Sequence, residues 1–482
     1  MNTRNLTLLT DLYELTMMQG YFKHKDQNET VIFDAFYRTN PCDGGYAICA
    51  GLEQVIDYVK NLRFSAEDIA YLKGLGIFEQ DFLDYLKDFK FSGDIYAIPE
   101  GTVVFPREPL IKIIAPIMEA QLVETAILNI INHQSLIATK AARVCYAAKG
   151  DGIMEFGLRR AQGPDAGIYG ARAAMIAGCI GTSNVLCGQM FDVPVKGTHA
   201  HSWIMSFPDE YTAFKTYADM YPKACILLVD TYDTLKSGVP NAIRVFTEMR
   251  EAGIPLTFYG IRLDSGDLAY LSKKARKMLD AAGFTDAVIS ASNDLDEYLI
   301  DSLKTQGAAI TSWGVGTHLI TAKDNPSFGG VYKLAAIMDE NGVFVPKIKL
   351  SENSEKVTNP GNKKIYRVYE SGKIKADLIC LVEEEYREED DLLLFDPLEP
   401  WKKTKLKGGT YTLRPLMEQI FDKGECVYTS PKVMEIREYC LKEQDTLWEE
   451  TRRLMNPHKV YVDLSKKLYD TKISLLDQMS ER

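Results

Sequence analysis

The chain is short of histidine, of paired cysteine, of net positive charge and of long apolar runs, and each shortage removes a class of protein. No uninterrupted apolar stretch approaches the ~18 residues of a membrane span. The N-terminal "MNTRNLTLLTDLYELTMMQGYF" carries Asp11 and Glu14 where a secretory signal has a plain apolar core. A cytoplasmic location is therefore expected. The 9 cysteines are scattered, odd in number and without a C-x-x-C pair, which excludes a disulfide framework and a structural zinc site. Cys179, Cys187 and Cys225 lie in apolar segments and read as small hydrophobes. A net charge of −11 argues against nucleic acid or an anionic membrane as partner. Small anionic substrates need only a few placed Arg and Lys and stay open. Part of the acidic excess is local, in "EEEYREEDD" (383–391), which reads as a solvated face or loop.

What remains is an ordinary globular composition, 46% hydrophobic and 26% charged over 482 residues, enough for two or three domains. Residues 1–143 mix strand and helix patterns: "VIFDAFYR" as a strand, "GLEQVIDYVKNL" and "SAEDIAYLKGLG" as helices, "DIYAIPEGTVVFPREPLIKIIAP" as strands broken by Pro and Gly. The same texture returns in "GVFVPKIKLS", "KKIYRVYE" and "KADLICLVEE", so the α+β N-terminal domain is expected to be rejoined by about 340–431. Residues 432–482 read as polar helices. Between these, over 144–339, short apolar runs alternate with one-sided helices. Val239, Ala242, Ile243, Phe246 and Met249 form one stripe, and Leu268, Leu271, Ala275, Met278 and Leu279 another. Buried parallel strands with amphipathic helices predict an α/β fold, an irregular (β/α) barrel.

The segments following the expected strands are "FGLRR", "TSN", "GTHAH", "DTYDT", "RLDSGD", "SND" and "GVGTH". In a barrel all of them emerge on the C-terminal face, where chemistry is done, so an enzyme is expected. His199 and His201 stand two apart in a chain with only 6 histidines. Two imidazoles at that spacing suit a divalent metal only if later strands supply further ligands, and His318 is the one histidine that follows on the barrel. Alternatively, Asp230, ending "ACILLVD", would orient one imidazole for acid–base work or as a nucleophile. In "GIRLDSGD" the alternation of Arg262, Asp264 and Asp267 suits a polyanion bound with Mg²⁺ and hydroxyls. "WGVGTHLI" is a glycine turn into a helix start, suited to phosphate. "EFGLRRAQGP" sets Phe156 beside Arg159 and Arg160, suited to a planar anionic ring. "KVTNPGNKKIYR", with Lys356, Lys363, Lys364 and Arg367, reads either as a mobile surface loop or as a cover for a polyphosphate.

These motifs together resemble the nicotinate phosphoribosyltransferase family along nearly the whole chain: "LTDLYELTMMQGYF", "EFGLRRAQGPDAG", "GTSNVLCG", "GTHAHSW", "VDTYDT", "GIRLDSGDL", "SNDLDE", "WGVGTHLIT", "GGVYKL" and "KVTNPGNKKIYR". The resemblance implies that nicotinate attacks the anomeric carbon of phosphoribosyl pyrophosphate, with ATP hydrolysis coupled and Mg²⁺ as cofactor. It implies that His201, not His199, is phosphorylated by ATP and that Asp230 orients it. Arg262 and Thr198 match positions near the pyridine carboxylate, and Phe156 and Arg159 the stacking aromatic and its cationic companion. Gly316 and Thr317 match the pocket for the ribose 5-phosphate, and Asp264 and Asp267 positions near the ribose and the Mg²⁺–pyrophosphate. Tyr13 matches a second stacking residue supplied across a homodimer, with Arg38 at the same interface. The relative that uses nicotinamide carries an Asp where this chain has Ser183. A carboxylate there would repel the acid, so Ser183 favours nicotinate. The alternatives are that nicotinamide-using enzyme, quinolinate phosphoribosyltransferase, a metal-dependent hydrolase built on His199 and His201, and a non-catalytic binding protein on the same fold.

Overall fold

The computed structural model describes residues 4–26, 29–353, 356–399 and 401–480. The chain forms two compact units, one of Met1–Thr139, Ser327–Pro431 and Glu438–Arg482, the other of Lys140–Pro326 with Lys432–Arg437.

The second unit is the α/β part. Its parallel sheet runs, in spatial order, Gly181–Thr182, Gly152–Glu155, Ser312–Val315, Val288–Ala291, Tyr259–Leu263 and Cys225–Leu228. A further parallel bridge from Thr182 to Val195 extends it past its first edge. These strands are nearly continuous apolar runs, as burial on both faces demands. The helix Val239–Glu251 buries Val239, Ala242, Val245, Phe246 and Met249, so Val245 takes the place that the pattern gave to Ile243. In Leu268–Ala281 the buried positions are Leu268, Ala269, Ser272, Ala275 and Leu279, a stripe turned slightly from the expected one. Helix starts carry acidic or amide caps: Asn184 accepts the Cys187 N–H, Asp209 the Thr212 N–H, Asp267 the Tyr270 N–H and Asp296 the Leu299 N–H.

The seam is where the curled sheet stops pairing. Among the described residues, "VPVKGT" makes only the Val195 bridge, and the edge strand Cys225–Leu228 has no strand on its outer side. There the Leu228 N–H donates to His199 Nε2 at 3.3 Å. His199 is buried beside Tyr217 and Phe214, ring centroids 4.7 and 6.3 Å away. Burial first, then the Arg262 charge, push its imidazole down from 6.5 to about 4. The neutral ring is thus a backbone-like acceptor closing an open sheet edge.

The first unit is built on two large sheets, with a further short antiparallel pair, Ala47–Ile48 with Val103–Val104. One is antiparallel throughout, in the order Phe344–Pro346, Gly330–Met338, Thr30–Tyr37, Ile111–Pro116, Asp94–Ala97, Glu418–Asp422 and Glu425–Cys426. Gly330–Met338 pairs along Thr30–Tyr37, so the return to this unit comes earlier in the chain than the expected boundary at 339. The other sheet runs Lys403–Leu406, Leu392–Phe395, Tyr461–Leu464, Lys373–Leu381, Lys363–Glu370 and Thr412–Pro415. Tyr461–Leu464 corrects the all-helical reading of 432–482: its short alternation lies between the helices Val433–Asp445 and Lys466–Ser480, and it pairs parallel to Lys373–Leu381.

The basic segment of the first unit is largely structural. Lys363 is buried against Asp34 at 2.7 Å and donates to the Gly361 carbonyl. Arg367 is fully buried, forked onto Asp377 at 2.9 and 2.7 Å, with Glu443 at 3.3 Å. Neither is on a mobile loop or presented to a phosphate.

Two outcomes follow from these contacts. Unfolded chain takes up a proton on His199 near 6.5 and folded chain only near 4, so the residue lowers stability as pH falls through that window and has no such effect above it. His199→Gln, which keeps an acceptor for Leu228 without titrating, is expected to lose less thermal stability than the wild type between pH 6.5 and 4. Equal acid sensitivity of the two proteins would refute the seam reading. Arg367→Ala, which strands Asp377 and leaves Glu443 to Arg414 alone, is expected to lower the unfolding free energy by ~3–5 kcal/mol, seen as a transition at lower urea. A shift within experimental scatter would contradict it.

Candidate active site

Because every strand of the second unit is parallel, its loops collect on one face, and the polar residues of different segments meet there. His201 opens the short helix His201–Met205, two residues beyond the seam histidine. Its Nδ1 lies 3.0 Å from Thr231 Oγ1, while Nε2 faces Asp264 Oδ2 at 3.7 Å and Asp230 Oδ1 at 4.0 Å. The imidazole is 39% exposed, open to a ligand on one side. Asp230 is nearly buried, and its Oδ2 accepts from the Asp264 N–H and the Ser265 hydroxyl, each at 2.7 Å. Asp264 Oδ1 in turn accepts from the Ser292 hydroxyl. The histidine therefore faces a pair of tethered carboxylates, and its hydrogen bond goes to Thr231 instead of Asp230.

The H-x-H pair does not converge. His199 is spent on the seam and His201 on the opposite side of the chain. Among the described residues no group of three or more His, Cys, Asp or Glu is arranged to hold a metal ion. A hydrolase built on the two histidines has no geometric support. Mg²⁺ is a different case, since it commonly takes one or two protein carboxylates and completes its shell with phosphate oxygens and water. Asp230 Oδ1, buried without a hydrogen-bond partner, and Asp264 Oδ2, turned toward the His201 imidazole, fit that role.

Beside the histidine, Arg262 projects from Tyr259–Leu263. It donates to Thr198 Oγ1 and to the His199 carbonyl, the latter at 3.0 Å. Its Nε is buried and unpartnered. Burial lowers its pKa from the ordinary arginine value, Asp264 and Asp230 oppose that fall, and the Arg159 charge adds to it. Both Arg159 and Arg160 are exposed on the single turn Leu158–Arg160.

Phe156 follows Gly152–Glu155, and its N–H bonds to the Val315 carbonyl at 2.8 Å. The ring lies over Gly314, where an added Cβ would stand 2.6 Å from it and 3.5 Å from Ser292 Cβ. Only glycine leaves room for the aromatic. Gly316 faces the Phe156 carbonyl, and Thr317 begins the one-turn helix Thr317–Ile320. Ser183 is half-buried at the end of Gly181–Thr182 and donates its N–H to the Glu155 carbonyl at 3.0 Å.

The structure thus brings together His201, Asp230 and Asp264, with Arg262 on Thr198 and Phe156 against Gly314. Asp267 is set apart by its work as a helix cap, taking the Tyr270 N–H at 2.9 Å. Tyr13 belongs to the first unit, 48% exposed on the helix Leu12–His24. Sequence reasoning missed Thr231, Ser265, Ser292 and Glu155. The first three stand one residue after an expected acid or in the polar strand ends, a cue that was present but shared with many surface residues. Glu155 closes an apolar strand, where nothing in the pattern distinguishes it.

Family models match in three consecutive pieces: the nicotinate phosphoribosyltransferase N-terminal domain over 8–132, the family's own model over 152–373, and its C-terminal domain over 362–472. A nicotinate phosphoribosyltransferase of Bacillus subtilis is 48% identical over 480 residues, covering 99% of this chain and 96% of the relative. The Homo sapiens enzyme of that name is 31% identical over 519 residues, covering 96% and 95%. The crystal structure of human nicotinic acid phosphoribosyltransferase superposes with a TM-score of 0.84 at 29% identity, covering 97% of this chain and all of that one. A nicotinate-nucleotide pyrophosphorylase from Pyrococcus furiosus shares the fold, with a TM-score of 0.69 at 23% identity. With the motifs in order, the strand ends assembled and relatives alike from end to end, this chain belongs to the nicotinate phosphoribosyltransferase family.

Proposed function

We propose that the chain joins nicotinate to the phosphoribosyl group of phosphoribosyl pyrophosphate, giving nicotinate mononucleotide and pyrophosphate in NAD biosynthesis, with ATP consumed through a phosphohistidine on His201. The observation that carries this reading is the His201 imidazole, open on one side and set between Thr231 and the carboxylates of Asp230 and Asp264.

The two carboxylates favour a proton on Nε2. That leaves the Nδ1 lone pair, steadied by the Thr231 hydroxyl, as the nucleophile. It attacks the terminal phosphorus of ATP, an N–P bond forms, the P–O bond to the leaving ADP breaks, and the imidazolium so made is stabilised by Asp230 and Asp264. In the transfer itself the pyridine nitrogen attacks the anomeric carbon as the bond to pyrophosphate breaks. Phe156 offers the ring a face, while Arg262, held by Thr198, and Arg159 offer cations to its carboxylate. The turn at Gly316 and Thr317 is the proposed seat of the ribose 5-phosphate. Asp264 and Asp230 would hold Mg²⁺, which would supply charge neutralisation on the leaving diphosphate. Asp267 contributes less directly, through the helix it caps. Tyr13 is proposed to serve the site of a partner in a homodimer, with Arg38 near the same interface. No helix among the described residues is long and apolar enough to cross a membrane, and a cytoplasmic location goes with this reading.

Two experiments test it. For His201→Ala, ATP stimulation of nicotinate turnover and acid-labile phosphate on the protein are both expected to vanish, the rate falling to that of the wild type without ATP. Persistence of ATP stimulation would remove His201 from the role. Ser183→Asp is expected to raise the KM for nicotinate about tenfold or more by like-charge repulsion. Unchanged nicotinate kinetics would remove Ser183 from the argument on acid selectivity.

A further inference from the structure

Glu155 is a carboxylic acid at the end of an apolar strand, wholly shielded from solvent. Burial raises its pKa, opposed by hydrogen bonds from Thr182 and Gly157. A buried carboxyl is a costly occupant of a strand end that an apolar side chain would fill at no such cost. The two hydrogen bonds show what it does there.

One oxygen accepts the Gly157 N–H, the other the Thr182 hydroxyl at 2.6 Å. The same hydroxyl accepts the Asn184 N–H at 3.0 Å, and the Glu155 backbone carbonyl accepts the Ser183 N–H at 3.0 Å. Asn184 is fixed further by donating to the Gly167 carbonyl and capping the helix Val185–Phe191. One residue therefore grips both sides of two loops: Gly157, next to Phe156, and the run Thr182–Ser183–Asn184.

We propose that Glu155 is the positioning residue of the nicotinate slot, locking the Phe156 turn to the Ser183 turn so that ring stacking and acid selectivity share one rigid frame. This rests on the reading above that Phe156 and Ser183 border the pyridine ring. The phosphate turn at Gly316 and the His201 group receive no bond from the Glu155 carboxylate, so nicotinate binding is sensitive to its loss and phosphoribosyl pyrophosphate binding is not.

The test is steady-state kinetics with both substrates for the wild type, Phe156→Ala, Glu155→Ala, Glu155→Gln and Thr182→Val. Glu155→Ala is expected to raise the nicotinate KM by about tenfold or more, with the phosphoribosyl pyrophosphate KM within about twofold of wild type. Glu155→Gln should recover most of the loss, since its amide oxygen takes the Gly157 N–H and its NH₂ reaches the Thr182 oxygen. Thr182→Val, which removes one partner and keeps the side-chain volume, should shift the nicotinate KM in the same direction, and it decides the matter if Glu155→Ala does not fold. A proportional change in both KM values, or a Gln variant as impaired as the Ala variant, overturns the proposal. If Phe156→Ala leaves the nicotinate KM unchanged, the ring-site reading itself fails. A normal Phe156 effect beside a flat Glu155 series overturns the positioning role alone.

Discussion

The bond from the Leu228 N–H to the His199 imidazole holds the segment that leads into His201 against the edge of the parallel sheet. A curled parallel sheet with an unpaired edge exposes a row of backbone donors and acceptors, and here a neutral, buried histidine answers one of them. That bond fixes the chain at 199 beside Cys225–Leu228. Two residues on, His201 then falls beside Thr231 and the carboxylates of Asp230 and Asp264. The two histidines are consequently different in kind: one is held neutral and sealed, the other is half-open and surrounded by acceptors.

Around His201 the site retains polar atoms that the protein alone leaves unsatisfied. Asp230 Oδ1 and Arg262 Nε are both buried without a hydrogen-bond partner. Such groups are destabilising in a finished core, and they belong where a ligand or ion completes them. Fixed charges in a partly dry site also need little rearrangement when a phosphate or carboxylate arrives. The carboxylates are tethered by backbone and hydroxyl donors from Asp264, Ser265 and Ser292, which offset part of their mutual repulsion.

The first unit shows the opposite use of charge. Arg367 with Asp377 and Glu443, and Lys363 with Asp34, are ion pairs whose cations are buried inside the unit. Glu108 lies 3.8 Å from the same guanidinium, and burial together with Asp377 pushes its carboxyl well up. The composition of "KVTNPGNKKIYR" suits a mobile surface loop or a cover for a polyphosphate, but alternation along Lys363–Glu370 turns its odd-numbered cations inward. Lys364, facing the other way, rests over the Tyr366 ring.

By itself the sequence determined the alternation of apolar strands and one-sided helices, and hence a parallel sheet whose loops share one face. It also determined the identity of most residues on that face, because "GTHAH", "RLDSGD" and "EFGLRR" are polar where a strand ends, and the order of these motifs carried the family. Local pattern could not decide which histidine closes the sheet and which meets the carboxylates, since both have the same neighbours in the chain. It could not separate Asp267, a helix cap, from Asp264, three residues away in the same loop. Nor could it mark Glu155, Thr231 or Ser292, or show that Arg367 is sealed in a core. Those assignments depend on which strand lies beside which and on the depth of each side chain, and only the tertiary structure sets distances between residues far apart in sequence.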